Sequence, residues 1–469
     1  LIKRHYQTTE QYILSNCVRT NTQNVVPLTW QAPGMAFIKI TIRDLADFHM
    51  KKNIAIIGSG ISGLTCAHLL HQQHNITLYE ANDYIGGHTA TKDVTVNGQS
   101  RAIDTGFIVF NDWTYPNFIK LLTRLGVEYQ PTEMSFSVRH EGTNIEYNGH
   151  NLNTLFAQRR NLFRPRFWKI VKDIVRFNNL CKETIEQEQD TSSQTLSSFI
   201  REHGFSEEFS EHYIYPMCAA IWSASLEQTK AFPLTFFLQF FNNHGLLNIN
   251  DRPQWYTIKG GSREYVAPLI KPFADRIRLS TPVKRVEHSN GGVTVTSMDG
   301  QTDQYDEVIF ACHSDQALAM LAAPTDDQQR ILGAIGYAEN DVVLHYDTRQ
   351  LPQRKAAWAS WNYRLTGDPQ EQQRPAAVTY DMNILQRLDA EETFCVSLNT
   401  QGIQASKVLG TYRYAHPQFS PTMVSAQQQR ETICGVDGVH FCGAYWYNGF
   451  HEDGVRSALD VCERFGASL

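Results

Sequence analysis

No stretch of this 469-residue chain reaches the roughly eighteen consecutive apolar residues of a membrane-spanning helix, so no such helix is read from it; contact with a membrane surface stays open. Net charge is small: 42 Lys and Arg stand against 48 Asp and Glu, and the balance of −6 gives no global reason to expect nucleic acid as a partner. The 9 cysteines include no C-x-x-C pair and no regular spacing, which argues against a disulfide framework and for reduced thiols in a cytosolic setting. Residues 1–49 lack an initiating Met, a secretory apolar core and any strand-helix alternation. They are expected to be a poorly ordered leader or upstream extension, the natural frame opening at Met50; an accessory arm is the other reading.

What the chain does have begins at residue 52. Asn53 to Ile57 is an apolar run of strand length that meets Gly58, Gly60 and Gly63, spaced G-x-G-x-x-G, with Ile61 and Ser62 between the last two. A helical stretch to Leu70 follows, then a second apolar strand, Ile76 to Tyr79, closed by Glu80. This is a βαβ unit with dinucleotide signals. Gly58 permits the sharp turn, Gly60 the approach of a pyrophosphate and Gly63 close helix packing, while the helix start offers unpaired N–H groups to phosphate. Glu80, about twenty residues on, stands where an acid accepts hydrogen bonds from a ribose. A nicotinamide-linked reductase would need a second glycine fingerprint, and none is present.

Beyond Glu80 come Ala81, then Gly86, Gly87, His88 and Thr89. An acid at the end of the second strand followed by a Gly-Gly pair resembles the flavin amine oxidase and protoporphyrinogen oxidase superfamily, where that pair wraps FAD. Thr105, Gly106, Phe107 and Ile108 look like its next flavin-side loop, and Gly260-Gly261 like its turn back into the cofactor domain. The resemblance implies that Val283 contacts adenine through its backbone. It implies too that Gly443, Glu452, Asp453, Gly454 and Val455 belong to the last flavin segment, a strand stopping at Gly443 and a helix starting near Glu452 with its N–H groups towards the flavin. The implied cofactor is FAD. The implied fold is α/β, a Rossmann-like FAD-binding domain with a parallel sheet (50–113, 255–321 and 433–469) interleaved with an α+β substrate domain (114–254 and 322–432).

In the second domain, Phe118 to Leu125 predicts an amphipathic helix stopped by Gly126. Residues 161–179 predict a helix in which Arg164, Arg166, Lys169, Lys172 and Arg176, with Arg159 and Arg160 just before it, interleave with Phe163, Phe167, Trp168, Ile170, Val175 and Phe177. Such a helix either lies on an anionic lipid surface or buries an apolar face under a solvated charged one. Residues 219–243 form an aromatic segment, read as core, with a pocket for a large apolar substrate as the alternative. Strands are expected at 341–346, 376–380 and 393–398, flooring the substrate cavity. His68, His71 and His74 fall at helical spacing on the first helix, without a carboxylate or thiolate beside them, and read as partly solvated, not as metal ligands.

The loop from Gly443 to Gly454 is most similar to bacterial NAD/FAD-binding proteins associated with cyclopropane fatty acid synthases. That resemblance implies an FAD-dependent oxidoreductase taking hydride to flavin N5 from a hydrophobic substrate, an unsaturated or modified fatty acyl chain. It also implies a lipid methyltransferase as partner and a cytoplasmic place, peripheral at the inner membrane surface. Alternatives are a flavin amine oxidase, a redox-neutral double-bond isomerase and an accessory methyltransferase subunit. Phe450 and His451 before the last helix, with no cysteine where covalent flavin attachment is expected, depart from the amine oxidase pattern. Tyr445, Trp446 and His451 are the candidate flavin-facing wall, His451 as proton shuttle; the alternative is that they only pack the loop.

Overall fold

Strands buried on both faces read as nearly continuous apolar sequence, and Asn53–Ile57, Asn75–Tyr79, Glu307–Phe310 and Val439–Phe441 do so. The computed structural model describes residues 51–469 other than 290, 369, 371 and 372, together with the strands Leu28–Trp30 and Ile38–Ile40. These last two pair antiparallel within residues 1–51, a unit distinct from 52–469; the expectation of a leader otherwise falls outside the described residues.

The four apolar strands form, with Ile277–Arg278, one parallel sheet in the spatial order 277, 75, 53, 307, 439. Alternation sends Ile54 and Ile56 to one face, against the helices Ile61–Leu70 and His451–Glu463, and Ala55 and Ile57 to the other, against Ile331, Leu332 and Met423. A second, seven-stranded sheet takes Ile145–Asn148 and Phe136–His140 from before residue 150, and Trp361–Leu365, Val378–Asp381, Cys395–Leu398, Gly336–His345 and Val408–Gln418 from after 330. Its pairs are antiparallel except Trp361–Leu365 with Phe136–His140. Its core is continuous with the aromatic helix Leu234–Asn243.

The helix stopped by Gly126 runs Pro116–Leu125, with Gly126 at φ +68°. The basic helix differs from its predicted span. It begins at Pro165 and runs to Glu186, because proline fits the first helical position and pushes Arg164 to an extended φ −99°, ψ 109°; residues Arg159–Phe163 form a separate 3₁₀ turn. The segment 219–243 is likewise broken, by Ser223 at φ +51° and by Pro233. His74, expected at the solvated outside, is buried against Phe465.

Candidate functional site

The glycine turn at the C-terminal edge of the central strand sets the site. Gly58 has φ +110°, and a Cβ there would stand 2.8 Å from the Ala311 carbonyl oxygen; a Cβ on Gly63 would stand 1.9 Å from the Gly58 oxygen. At Gly60 a Cβ would meet nothing within 4 Å. Gly60 is also the N-cap of Ile61–Leu70 and brings no side chain to that helix start, where Ser62 donates its hydroxyl to the Gly454 carbonyl at 2.9 Å. Gly87, at φ +59°, faces Gly60 so closely that its Cβ would lie 3.2 Å from the Gly60 Cα. The Gly86 N–H donates to the Ser59 carbonyl at 3.1 Å, and the Phe107 N–H to the His88 carbonyl at 2.8 Å, which gathers 58–63, 86–89 and 105–108 into one place. Thr89 pairs with the Tyr265 hydroxyl, and Thr105 with that of Tyr414 at 2.8 Å. Ile108 accepts the Thr257 hydroxyl at 3.1 Å.

Glu80 ends its strand as expected. Its two oxygens accept from the Ser59 N–H (3.0 Å) and hydroxyl (2.5 Å) and from the Asn82 N–H and amide (2.9 Å each), so all four acceptor positions are taken and a ribose hydroxyl would displace one of these donors. Ala81 is exposed beside it. The Thr281 N–H donates to the Glu80 carbonyl at 2.8 Å, which brings the stretch leading into Val283 alongside.

The last helix, His451–Glu463, starts against the first: a Cβ on Gly454 would stand 2.6 Å from Ile61 Cγ2. Val455 is fully buried between them, and the Gly443 N–H donates to the Ser457 hydroxyl at 2.8 Å. Asp453 accepts from the Phe450 N–H at 2.9 Å, and burial pushes its carboxyl up to about 7. Glu452 turns away from this helix. It accepts from the N–H groups of Asn117 (3.2 Å) and Phe118 (2.8 Å), capping Pro116–Leu125, whose own N-cap offers no side chain.

The three residues expected to form a flavin-facing wall are all buried. Tyr445 and Trp446, each 3 % exposed, pack in the core on the sheet face of Ile331 and Met423, because the 3₁₀ turn Ala444–Trp446 directs them there. His451 is buried, stacked on Phe107 with centroids 3.8 Å apart, and its Nε2 lies 2.9 Å from the Tyr265 hydroxyl. Burial, with His88 nearby, pushes its pKa down to about 3 and holds the ring neutral at physiological pH.

Two groupings went unread in the sequence. His88, His313 and His416 have ring centroids 5.7 to 6.0 Å from one another's nearest member, and His416 Nδ1 lies 3.0 Å from the Ser223 hydroxyl. Burial holds His88 near 3 and His416 near 4, both neutral. The period-2 spacing of Tyr412, Tyr414, His416 and Gln418 along one strand face was the available signal. The second is a ring stack: Phe450 on Phe240 (5.2 Å), Phe240 on His244 (4.0 Å) and Phe419 on Phe236 (4.8 Å). Phe419 and Phe450 keep partial exposure, and burial pushes His244 down to about 4.

The residues present fit a dinucleotide: a glycine with space before it, a helix start with no capping side chain, and an acid fixed at the neighbouring strand end. Residues 61–383 match the family model described as flavin containing amine oxidoreductase, more than half of the chain. Human amine oxidase [flavin-containing] B is 22 % identical over 267 residues, 56 % of this chain and 50 % of that protein; the chain spans about half the length of the curated relatives it matches. Two solved structures share the fold at a TM-score of 0.64. A CLA-producing fatty acid isomerase from P. acnes, 15 % identical, is matched over 88 % of this chain and 98 % of that one. Cyclohexylamine oxidase from Brevibacterium oxydans IH-35A, 17 % identical, is matched over 89 % and 99 %. The chain therefore belongs to the flavin-containing amine oxidoreductase family, with FAD as its cofactor.

Proposed function

We propose that this chain is an FAD-dependent oxidoreductase whose substrate is an apolar chain, an unsaturated or modified fatty acyl group. The observation that carries the reading is a pair of ring stacks, Phe419 on Phe236 and Phe450 on Phe240, linked through Trp222, with Phe450 directly before the helix start at His451 and with His244, held neutral by burial, stacked on Phe240. Such a wall binds and orients hydrocarbon and excludes water, and its rings carry no net charge. Bound FAD supplies the two-electron acceptor for a hydride from an activated carbon. Asp453, titrating near neutrality beside Phe450, holds or releases a proton at that helix start. The helix start at Ile61, with no capping side chain and no acid in its first turn, favours negative charge in front of it.

Amine oxidation is the second reading, favoured by the likeness to amine oxidase B and cyclohexylamine oxidase; aromatic rings also hold an uncharged amine. Mass spectrometry of acyl chains after aerobic incubation separates the possibilities. The expected product has two hydrogens fewer than the substrate. An unchanged mass with a moved double bond would assign isomerisation instead, and unchanged lipid beside oxidised amine would assign the second reading.

A further inference from the structure

We propose that the surface carried by residues 152–176 docks on an anionic lipid bilayer. This goes beyond the reading of the flavin site and rests on surface chemistry alone. The helix Pro165–Glu186 uses one side for the core, where Phe167, Ile170 and Phe177 are buried. Its other side repeats at Pro165, Trp168, Lys169, Lys172, Val175 and Arg176, the spacing of a single helical stripe, and all six are exposed. A solvated stripe ordinarily carries charge. This one also carries Trp168 at 47 % and Val175 at 41 % exposure, and the turn before it adds Phe163 at 87 % and Leu162 at 41 %. Of the 11 large hydrophobic residues exposed among the described residues, five, counting Leu152, fall here. The Trp168 ring is fixed: its indole N–H donates to the Leu162 carbonyl at 2.9 Å, and the ring lies 5.3 Å from that of Phe156.

Around these rings stand Arg159, Arg160, Arg164, Arg166, Lys169, Lys172 and Arg176. Among the described residues two carboxylates come within ion-pair distance of them. Asp173 is buried, bonded to Ser206, and 3.4 Å from Arg176; Glu208 lies 3.9 Å from Arg166 and 3.7 Å from Lys169. The face thus combines protruding rings with a surplus of cations. An acidic protein surface would match the cations and leave Phe163 and Trp168 against polar groups. An anionic bilayer matches both, with rings at the acyl boundary and cations among headgroup phosphates. Docked so, the chain would meet acyl substrates where they reside.

Co-sedimentation of the full flavin-loaded chain with phosphatidylcholine vesicles, with and without phosphatidylglycerol, tests this. Partitioning is expected to be at least about tenfold higher onto phosphatidylglycerol vesicles and to fall with added salt. Lys169→Glu with Lys172→Glu is expected to lower it by about tenfold or more, and Phe163→Ser with Trp168→Ser to lower it while keeping the salt dependence; an unchanged melting temperature and flavin spectrum certify the fold of each pair. Equal partitioning onto both vesicles, or charge reversal without effect, would overturn the proposal. Self-association through this face with no vesicle binding would assign it to a second copy of the chain and overturn it as well.

Discussion

Asp453 sits in the first turn of the last helix with its carboxyl pushed up to about 7 by burial. A carboxyl whose folded pKa is raised contributes stability that is complete below its unfolded pKa, near 3.9, and is lost as pH rises through the folded value. The buried, neutral His88, His244, His416 and His451 make stability rise with pH up to about 6.5, so the Asp453 contribution is read in thermal melts as the difference between the wild type and Asp453→Asn. That difference should fall by on the order of 1 to 4 kcal/mol between about pH 5 and 8, while the variant's amide oxygen still accepts from Phe450. An identical slope in the variant would refute the buried, protonated carboxyl. Residue identity alone did not reveal how His451, Tyr445 and Trp446 are packed. Their types suit a reactive wall, but exposure is decided by a 3₁₀ turn and a ring contact with Phe107, neither of which leaves a local pattern. The partners of Glu452 were hidden for the same reason: its donors, Asn117 and Phe118, lie 335 and 334 positions away.

The glycine turn and its helix make the sharpest contrast at the scale of elements. Gly60→Ala finds nothing within 4 Å and needs no unusual φ, so the apoprotein's stability should change by less than about 1 kcal/mol. FAD affinity should nevertheless fall, because the methyl enters the space where a pyrophosphate approaches the backbone. Gly63→Ala puts a Cβ 1.9 Å from the Gly58 oxygen, a backbone atom no rotamer can move, and should destabilise the fold itself. Paired melts and flavin titrations check both; equal effects of the two substitutions on stability would contradict the geometry. This turn was legible because strand, glycines, helix and acid follow one another within thirty residues. The strands expected at 341–346, 376–380 and 393–398 were legible as well, and lie at Gly336–His345, Val378–Asp381 and Cys395–Leu398. Helix ends were less so, since Pro165, Ser223 and Pro233 cut apolar runs that read as continuous.

At the scale of the whole molecule, the parallel sheet collects strands from residues 53–79, 277–310 and 439–441, and the seven-stranded sheet from 136–148 and 336–418. This interleaving brings Phe419 and Phe450, from late in the chain, onto Phe236 and Phe240 from its middle, so these ring contacts exist only once both sheets have formed. No spacing rule within one segment could announce it. The most direct test of the central claim is the absorbance of the oxidised flavin when lipids bearing unsaturated, methylated or cyclopropane acyl chains are added to the protein without oxygen. Bleaching by such lipids, and none by simple amines, is the expected result. Bleaching by amines alone, or a flavin that neither class bleaches, would contradict hydride removal from an acyl chain.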